Sequence, residues 1–322
     1  KIFYKNNEGQ IVSFFTIENI MIFHDELKKE NNLISKGKIF NIPFTFDWKY
    51  DENSNEKITK VRFHTLKLSF LNKSKKDEKI KNLKINFKRS KLVTNYFLKE
   101  DTIIIDSNNS FLGTDKFHYS GKVNLDPFDF QIVSKIQRLN LKKLMLNKNV
   151  LDEIFSPEFL LNENFNGKFS IRSDNLSNSS FFNEILINSN YVGDKVELSN
   201  SKLLNKKIGS LNLEYGNIYL KDNDIVFKGK FYFEIFDKNK FYKKFLVSKK
   251  NQKDLEKVYF GFIYNLSKSD AKIFFISLND DKPEMSDNLD NLIYGFNNNS
   301  ITVNNWISLR SFINKILSSY PG

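Results

Sequence analysis

Gly121-Lys122-Val123-Asn124-Leu125-Asp126-Pro127-Phe128-Asp129-Phe130 repeats the spacing of Gly37-Lys38-Ile39-Phe40-Asn41-Ile42-Pro43-Phe44-Thr45-Phe46, with Pro-Phe-x-Phe at the same offset from the glycine. Shorter copies of the opening stand at Gly167-Lys168-Phe169 and Gly229-Lys230-Phe231. Each copy leads into apolar and polar residues that alternate with period 2, the signature of a half-buried strand. The pattern therefore reads as a strand opening used again and again. Successive copies lie 84, 46 and 62 residues apart, which describes a degenerate repeat with insertions and excludes a strict solenoid.

Working outward, the strand grammar continues almost without a break. Val61 and Phe63 alternate with polar residues, then Leu66, Leu68 and Phe70 do so on the opposite parity. A parity flip inside one run predicts a β-bulge near His64-Thr65. Leu83, Ile85 and Phe87 form a further strand, and Lys99-Glu100-Asp101 predicts a hairpin before Ile103-Ile104-Ile105. Gly193-Asp194 has the glycine-first pair of a type II′ hairpin. Lys221 to Asp224 predicts another hairpin, while Ser248 to Lys257 and Asp280 to Asn291 read as long polar connections.

Two stretches carry a helical period instead. Leu144, Met145, Val150, Leu151, Ile154 and Phe155 predict a helical insertion near 142–157. Trp306, Leu309, Ile313 and Ile316 fall on one face of a C-terminal amphipathic helix with Asn304 or Asn305 as its N-cap. With only Arg310 and Lys315 to flank that stripe, the helix is expected to pack on the end of the sheet and not on a membrane.

Leading strands and a connection over 1–36, a repetitive β region over 37–304 and the helix over 305–322 make one continuous architecture. No linker divides it. The expected fold is mainly β: an elongated, curled antiparallel sheet of degenerate strand repeats with an apolar concave face, one interior helix and one C-terminal helix.

Composition narrows the chemistry. Forty per cent of the 322 residues are hydrophobic, enough for a substantial core. Phe alone contributes 33 residues. Phe, Ile, Lys and Asn together are what an AT-rich genome writes, and this bias accounts for much of the net charge of +12. There is no Cys, so disulfides, thiol nucleophiles and thiolate metal sites are excluded. No run approaches 18 apolar residues, so no helix of this chain is expected to span a bilayer. Lys1 leads directly into Ile2-Phe3-Tyr4, and the chain reads as a piece of a longer protein whose targeting segment lies upstream.

Catalytic signals are missing from the sequence. His24, His64 and His118 stand in unrelated segments, none with a second His at i+2 or i+4, so solvent-facing histidines are expected and not a metal centre. The Gly-Lys pairs open strands, whereas a phosphate loop needs a helix N-terminus after its glycines. No G-x-G-x-x-G, Walker A or G-x-S-x-G motif occurs. Hence neither an enzyme nor a cofactor is expected. Lysine clusters at Lys73 to Lys81 and at Lys243 to Lys250 admit non-specific attraction to polyanions. With five arginines in the chain, base readout is not expected and neither is a specific nucleic-acid partner.

The run from Gly121 through Phe130, Gln131 to Ile136 and then Leu139-Asn140-Leu141-Lys142-Lys143-Leu144 resembles the repeated strand units of the AsmA-like family, whose large members include proteins related to YhdP and TamB. Residues 117–146 carry that phrasing, and 37–240 share its style. The resemblance implies lipid transport in the cell envelope. Phospholipid acyl chains would lie in a hydrophobic β-groove, in a periplasmic protein held at the inner membrane by an upstream segment and serving outer-membrane biogenesis. Phe44, Phe46, Phe128 and Phe130 are the candidate groove residues, with phospholipid as the expected partner. The alternative is a structural or adhesive β-sandwich without ligand, in which those rings pack against a second sheet.

Overall fold

A computed structural model describes residues 2–5, 11–39, 42–140, 166–177, 179, 181–222, 224–268, 270–279, 287–298 and 306–319. The chain is mainly β, mostly antiparallel, and divides into two compact units. Unit 1 comprises residues 1–127 and 134–136, and unit 2 comprises 128–133 and 137–322. The expected helical insertion near 142–157 and the Asn304/Asn305 cap lie outside the described residues.

Unit 1 is a meander. Its strands are β1 (Ile2–Lys5), β2 (Ile11–Asp25), β3 (Glu30–Ile39), β4 (Ile42–Asp51), β5 (Glu56–Phe63), β6 (Leu68–Lys75), β7 (Lys81–Phe87), β8 (Ser90–Lys99), β9 (Thr102–Ser107), β10 (Ser110–Leu112) and β11 (Asp115–Leu125). Each strand from β1 to β9 pairs antiparallel with the next. β9 and β10 follow each other between β8 and β11 and pair with both. From β3 to β9 the register runs without a shift. Sequence parity therefore assigns every side chain of these strands to one face or the other.

The predicted bulge at His64-Thr65 is a hairpin turn. Phe63 pairs with Leu68, and residues 64–67 turn between them. The parity flips because the chain reverses direction. The turn has no Gly or Pro to announce it; Lys67 itself takes the left-handed conformation with φ 50°. The hairpin at Lys99 to Asp101 forms as predicted, with Lys99 opposite Thr102.

The Gly-Lys motif needs a correction as well. Gly167 opens a strand, but Gly37, Gly121 and Gly229 lie inside strands. At Gly37 an added Cβ would sit 2.1 Å from the Thr16 carbonyl oxygen and 3.0 Å from the Phe44 ring. At Gly229 it would meet the Phe227 ring at 2.6 Å. A ring lies over the bare backbone at both positions, so the glycine marks a close approach on the apolar side. The lysine that follows projects to the opposite face.

Unit 2 contains β12 (Phe128–Ile136, shared at its end with unit 1), β13 (Leu139–Asn140), β14 (Gly167–Ser173), β15 (Leu176–Ser177), β16 (Glu184–Val192), β17 (Lys195–Leu198), β18 (Ser201–Asn205), β19 (Gly209–Lys221), β20 (Asp224–Ile235), β21 (Lys257–Asn265) and β22 (Asp270–Leu278). β14, β16, the successive β17 and β18, β19, β20, β21 and β22 form an antiparallel ladder. β13 and β15 pair in parallel. The Gly193-Asp194 turn joins Val192 to Lys195 with Gly193 at φ 59°, as a glycine-first turn requires.

The core of unit 2 lies where three helices cover this sheet: α1 (Lys238–Phe245), α2 (Asp287–Asn297) and α3 (Trp306–Ser319). α1 starts because the Asp237 side chain accepts from the Lys240 N–H at 2.9 Å. The Lys240 ammonium, 2.7 Å from the same carboxyl, and then that backbone bond hold Asp237 below its ordinary range. The helix stops at Leu246 in the left-handed conformation, φ 54°. Phe241, Phe245, Leu289, Leu292, Phe312, Ile316 and Leu317 meet Ile273, Ile276 and Leu278 of β22.

The sequence places α3 on the end of the sheet; in the structure its main contacts are with α1, α2 and residues 249–251, through which it joins the core over the sheet. Trp306 stacks on Phe181 at 5.8 Å and meets Phe245 at 5.1 Å, with the Lys244 ammonium 5.0 Å from its ring centre. Trp306 is half-buried at the edge of the core, so Trp306→Ala is expected to cost about 2 kcal/mol, below the range for a fully buried aromatic ring. A matching fall in the chemical-denaturation midpoint checks it, and unchanged stability would contradict the packing.

Candidate functional site

The uninterrupted register of β3 to β8 builds two unlike surfaces on unit 1. On one face, Ser35, Phe46, Val61, Phe70, Ile85 and Leu92 stand opposite one another strand after strand. Beside this row, Phe63, Leu68 and Phe87 are successive partners. Phe44 completes that second row through its rings, stacked on Phe15 at 5.5 Å and 6.2 Å from Phe63. On the other side a mixed row runs Trp48, Thr59, Asn72, Leu83, Thr94, Ser107. Its polar members are satisfied from the same face: the Tyr96 hydroxyl donates to Asn72 Oδ1 at 2.9 Å, and Thr94 bonds the Tyr119 hydroxyl.

The opposite face is charged. Asp47, Lys60, Leu71 and Lys84 form one row there, and Thr45, Arg62, Ser69 and Asn86 another. Arg62 pairs with Asp47, Lys49 with Glu30, and Lys38 with Glu18 at 3.3 Å. Three cations on this side thus have carboxylate partners while the apolar side holds aromatic and aliphatic groups.

What lies over the apolar side separates the two units. Under the helices of unit 2, Phe241, Leu278, Leu289 and Leu317 are each 1% exposed. On the apolar face of unit 1, Phe46, Val61, Phe63, Phe70, Ile85, Phe87 and Leu92 are only half-buried. Among the described residues of unit 1 there is no helix, and no second layer of strands pairs over this face. Contiguous apolar surface is the kind of feature at which proteins meet ligands and partners.

The four rings singled out in the sequence divide. Phe44 is buried at 5% and Phe46 half-buried, both on this face of unit 1. Phe130, buried at 7%, and Phe128, 41% exposed, belong to unit 2. Phe130 sits against Tyr191 at 5.4 Å and covers Gly167. In-plane neighbours bury Phe44: Phe15 and Phe63 come from strands of the same sheet. Val61, Phe63, Phe70, Ile85 and Phe87, visible as alternating residues, are the larger part of the surface and carry no motif of their own.

The hairpin turns at the two ends of these strands differ in charge. At one end Asp25 accepts from the Lys28 N–H at 3.1 Å, and Asp51 from the Ser54 hydroxyl at 2.8 Å. The backbone bond from Lys28 lowers the Asp25 carboxyl, and the Ser54 hydroxyl lowers that of Asp51. Such groups add stability above their unfolded-state values and lose it as the pH falls through the lowered ones. At the other end the turns at 64–67 and 88–89 contain His64, Lys67, Lys88 and Arg89 and no carboxylate.

The histidines do not converge. His24 meets Asn31 at 3.0 Å, His64 meets Thr45 at 3.4 Å, and His118 meets Ser107 at 3.0 Å, on separate strands and turns. Among the described residues no group of three or more His, Asp or Glu could hold a metal ion. Each His→Ala change is expected to move stability by about 0.5 kcal/mol or less, checked by denaturant titration. An open cavity of about 450 Å³ in unit 2 has a mixed lining, with Ile132, Val133 and Phe169 beside Lys168, Ser170 and Asn188, and its polar groups already bond one another. Ser170 donates to Asn188 at 2.7 Å, and Asn188 donates to the Asn200 carbonyl at 3.0 Å.

No described helix is long and apolar enough to cross a membrane. No protein-family model matches the chain, and no curated protein is similar to it.

Proposed function

We propose that this chain is a non-enzymatic lipid-handling protein whose unit 1 sheet carries phospholipid acyl chains on its apolar face. One observation supports this above all. Five consecutive strands present Phe46, Val61, Phe70, Ile85 and Leu92 in register, half-buried, and no helix lies over them among the described residues of the unit. Five strands about 4.8 Å apart span about 19 Å, wide enough for acyl chains to lie side by side along the strands. Removing such a surface from water is favourable by about 25 cal/mol per Å², and acyl chains supply the cover without any directed bond. Binding of this kind needs no nucleophile, metal or cofactor.

The reading agrees with the AsmA-like phrasing of the sequence. On that basis the protein belongs in the cell envelope, periplasmic and held at the inner membrane by a segment outside this chain, passing phospholipid toward the outer membrane. Gentle purification followed by organic extraction and mass spectrometry tests the proposal. Stoichiometric phospholipid is expected. A chain that purifies free of lipid and takes up none from vesicles would instead favour the ligand-free structural role.

A further inference from the structure

We infer that the end of unit 1 bearing Lys67, Lys88 and Arg89 is a docking site for the phosphate of an anionic phospholipid, with the lipid's chains running from there along the strands. The inference rests on the lipid-handling reading and adds an orientation and a headgroup class to it.

Sequence separates these residues, and register brings them together. Leu68 pairs with Phe87, so the turn ending at Lys67 lies beside the turn starting at Lys88, and the Lys88 N–H donates to the Lys67 carbonyl at 3.2 Å. Both residues adopt the left-handed backbone, φ 50° and 51°. The three cations are exposed, and among the described residues none forms an ion pair. Within the sheet Lys38, Lys49 and Arg62 each have a carboxylate; Lys60 and Lys84 have none among the described residues, but they stand in a row with Asp47 on the opposite face. Asp115, the first residue of β11 after the turn in which the Gly113 N–H donates to Ser90 at 3.0 Å, is the neighbouring acid. At the far end of the same strands the turns carry Glu26, Glu52, Asp77, Glu78, Glu100 and Asp101 among their lysines.

The basic turns also adjoin the most apolar part of the face. Phe63 and Leu68 flank one turn, Phe87 and Ser90 the other, and the Lys88 ammonium lies 5.6 Å from the Phe87 ring centre. From Phe87 through Ile85 to Leu83 a chain laid along β7 meets three apolar side chains over four residue steps, about 13 Å. That is close to the depth of a leaflet's hydrocarbon, about 15 Å. Beyond Leu83 the face turns polar at Lys81, Lys57 and Tyr50. Cation at one end, apolar rows next and a polar margin after them match the order of groups in a phospholipid.

The test uses the full chain and two readouts. Binding to vesicles of phosphatidylglycerol mixed with phosphatidylcholine, and of phosphatidylcholine alone, is measured by co-sedimentation. Uptake of a fluorescent acyl-chain lipid from detergent is measured separately. The K67E/K88E/R89E variant is expected to bind the anionic vesicles roughly a hundredfold more weakly, as removal of three surface cations implies, while keeping acyl uptake. A control, K28E/K29E/K79E at the far end, is expected to retain anionic binding to within about threefold, since charges beyond a screening length act weakly. Equal loss in both variants, or no loss in the first, would overturn the site. Inorganic phosphate that competes as well as vesicles would also overturn it, because the phosphate must then be a free anion. Failure of acyl uptake by the unaltered chain strikes at the lipid reading itself, whatever the vesicle result.

Discussion

Asp at both Phe46 and Phe70 is expected to cut the phospholipid recovered with the protein by at least about tenfold while leaving its strand content intact. These side chains belong to one cross-strand row through Val61. In the lipid-free state both positions are half-buried, so their carboxylates keep water and the fold loses only about 1–3 kcal/mol. Under an acyl chain the same carboxylates lose that water without gaining a partner, at a cost of several kcal/mol each. Lys60→Asp on the opposite face, where Lys60 stands across from Asp47, is the control and is expected to leave lipid recovery unchanged. Extraction followed by mass spectrometry, with circular dichroism on the same samples, separates lost binding from lost folding.

Phe241→Ala is the change expected to harm stability most, by about 3–5 kcal/mol. Phe241 is 1% exposed, and its ring lies 5.6 Å from Phe233, 4.6 Å from Phe245 and 5.7 Å from Tyr242. Truncation empties the place where α1 meets β20, and the neighbours stand on two different elements that cannot close the gap together. Urea unfolding should show the midpoint fall without a change in the character of the baseline. A loss below about 1 kcal/mol would mean that α1 does not hold the core as described.

Period-2 alternation made the sheet of unit 1 legible because its strands keep one apolar face for many residues. Leu83, Ile85 and Phe87 announce β7 in the sequence, and Val61 and Phe63 announce β5. The turn between β5 and β6 was not legible: His64-Thr65-Leu66-Lys67 lacks the residues that usually mark reversal, and Lys67 bears the left-handed backbone unaided. Helix α2 was hidden by composition. Leu289, Leu292, Ile293 and Phe296 have helical spacing, but Asp287 and Asp290 made the stretch read as a polar connection. In the folded chain those acids occupy the first turn, where the helix dipole favours them. Helix α1 is eight residues long and follows a strand rich in the same aromatic residues, so no change of period stands out.

The candidate site was legible in kind and not in membership. Pro-Phe-x-Phe drew attention to Phe44, Phe46, Phe128 and Phe130, yet the two pairs fall in different units. What assembles the surface is register. Phe46, Val61, Phe70, Ile85 and Leu92 become one row only when four successive hairpins fix their pairing, and the same pairing sets Lys67 beside Lys88. Pairwise register of that kind is written in turn lengths and packing, which a single sequence exposes poorly.

Photo-crosslinking with a phospholipid whose acyl chain carries a diazirine tests the central claim most directly, because mapped peptides report which face the chain touches. Adducts are predicted on Phe46, Val61, Phe63, Phe70, Ile85 and Phe87, and not on their alternate neighbours Asp47, Lys60, Arg62, Leu71 and Lys84. Adducts spread equally over both parities, or none beyond those of an unfolded control, would contradict a lipid-bearing apolar face.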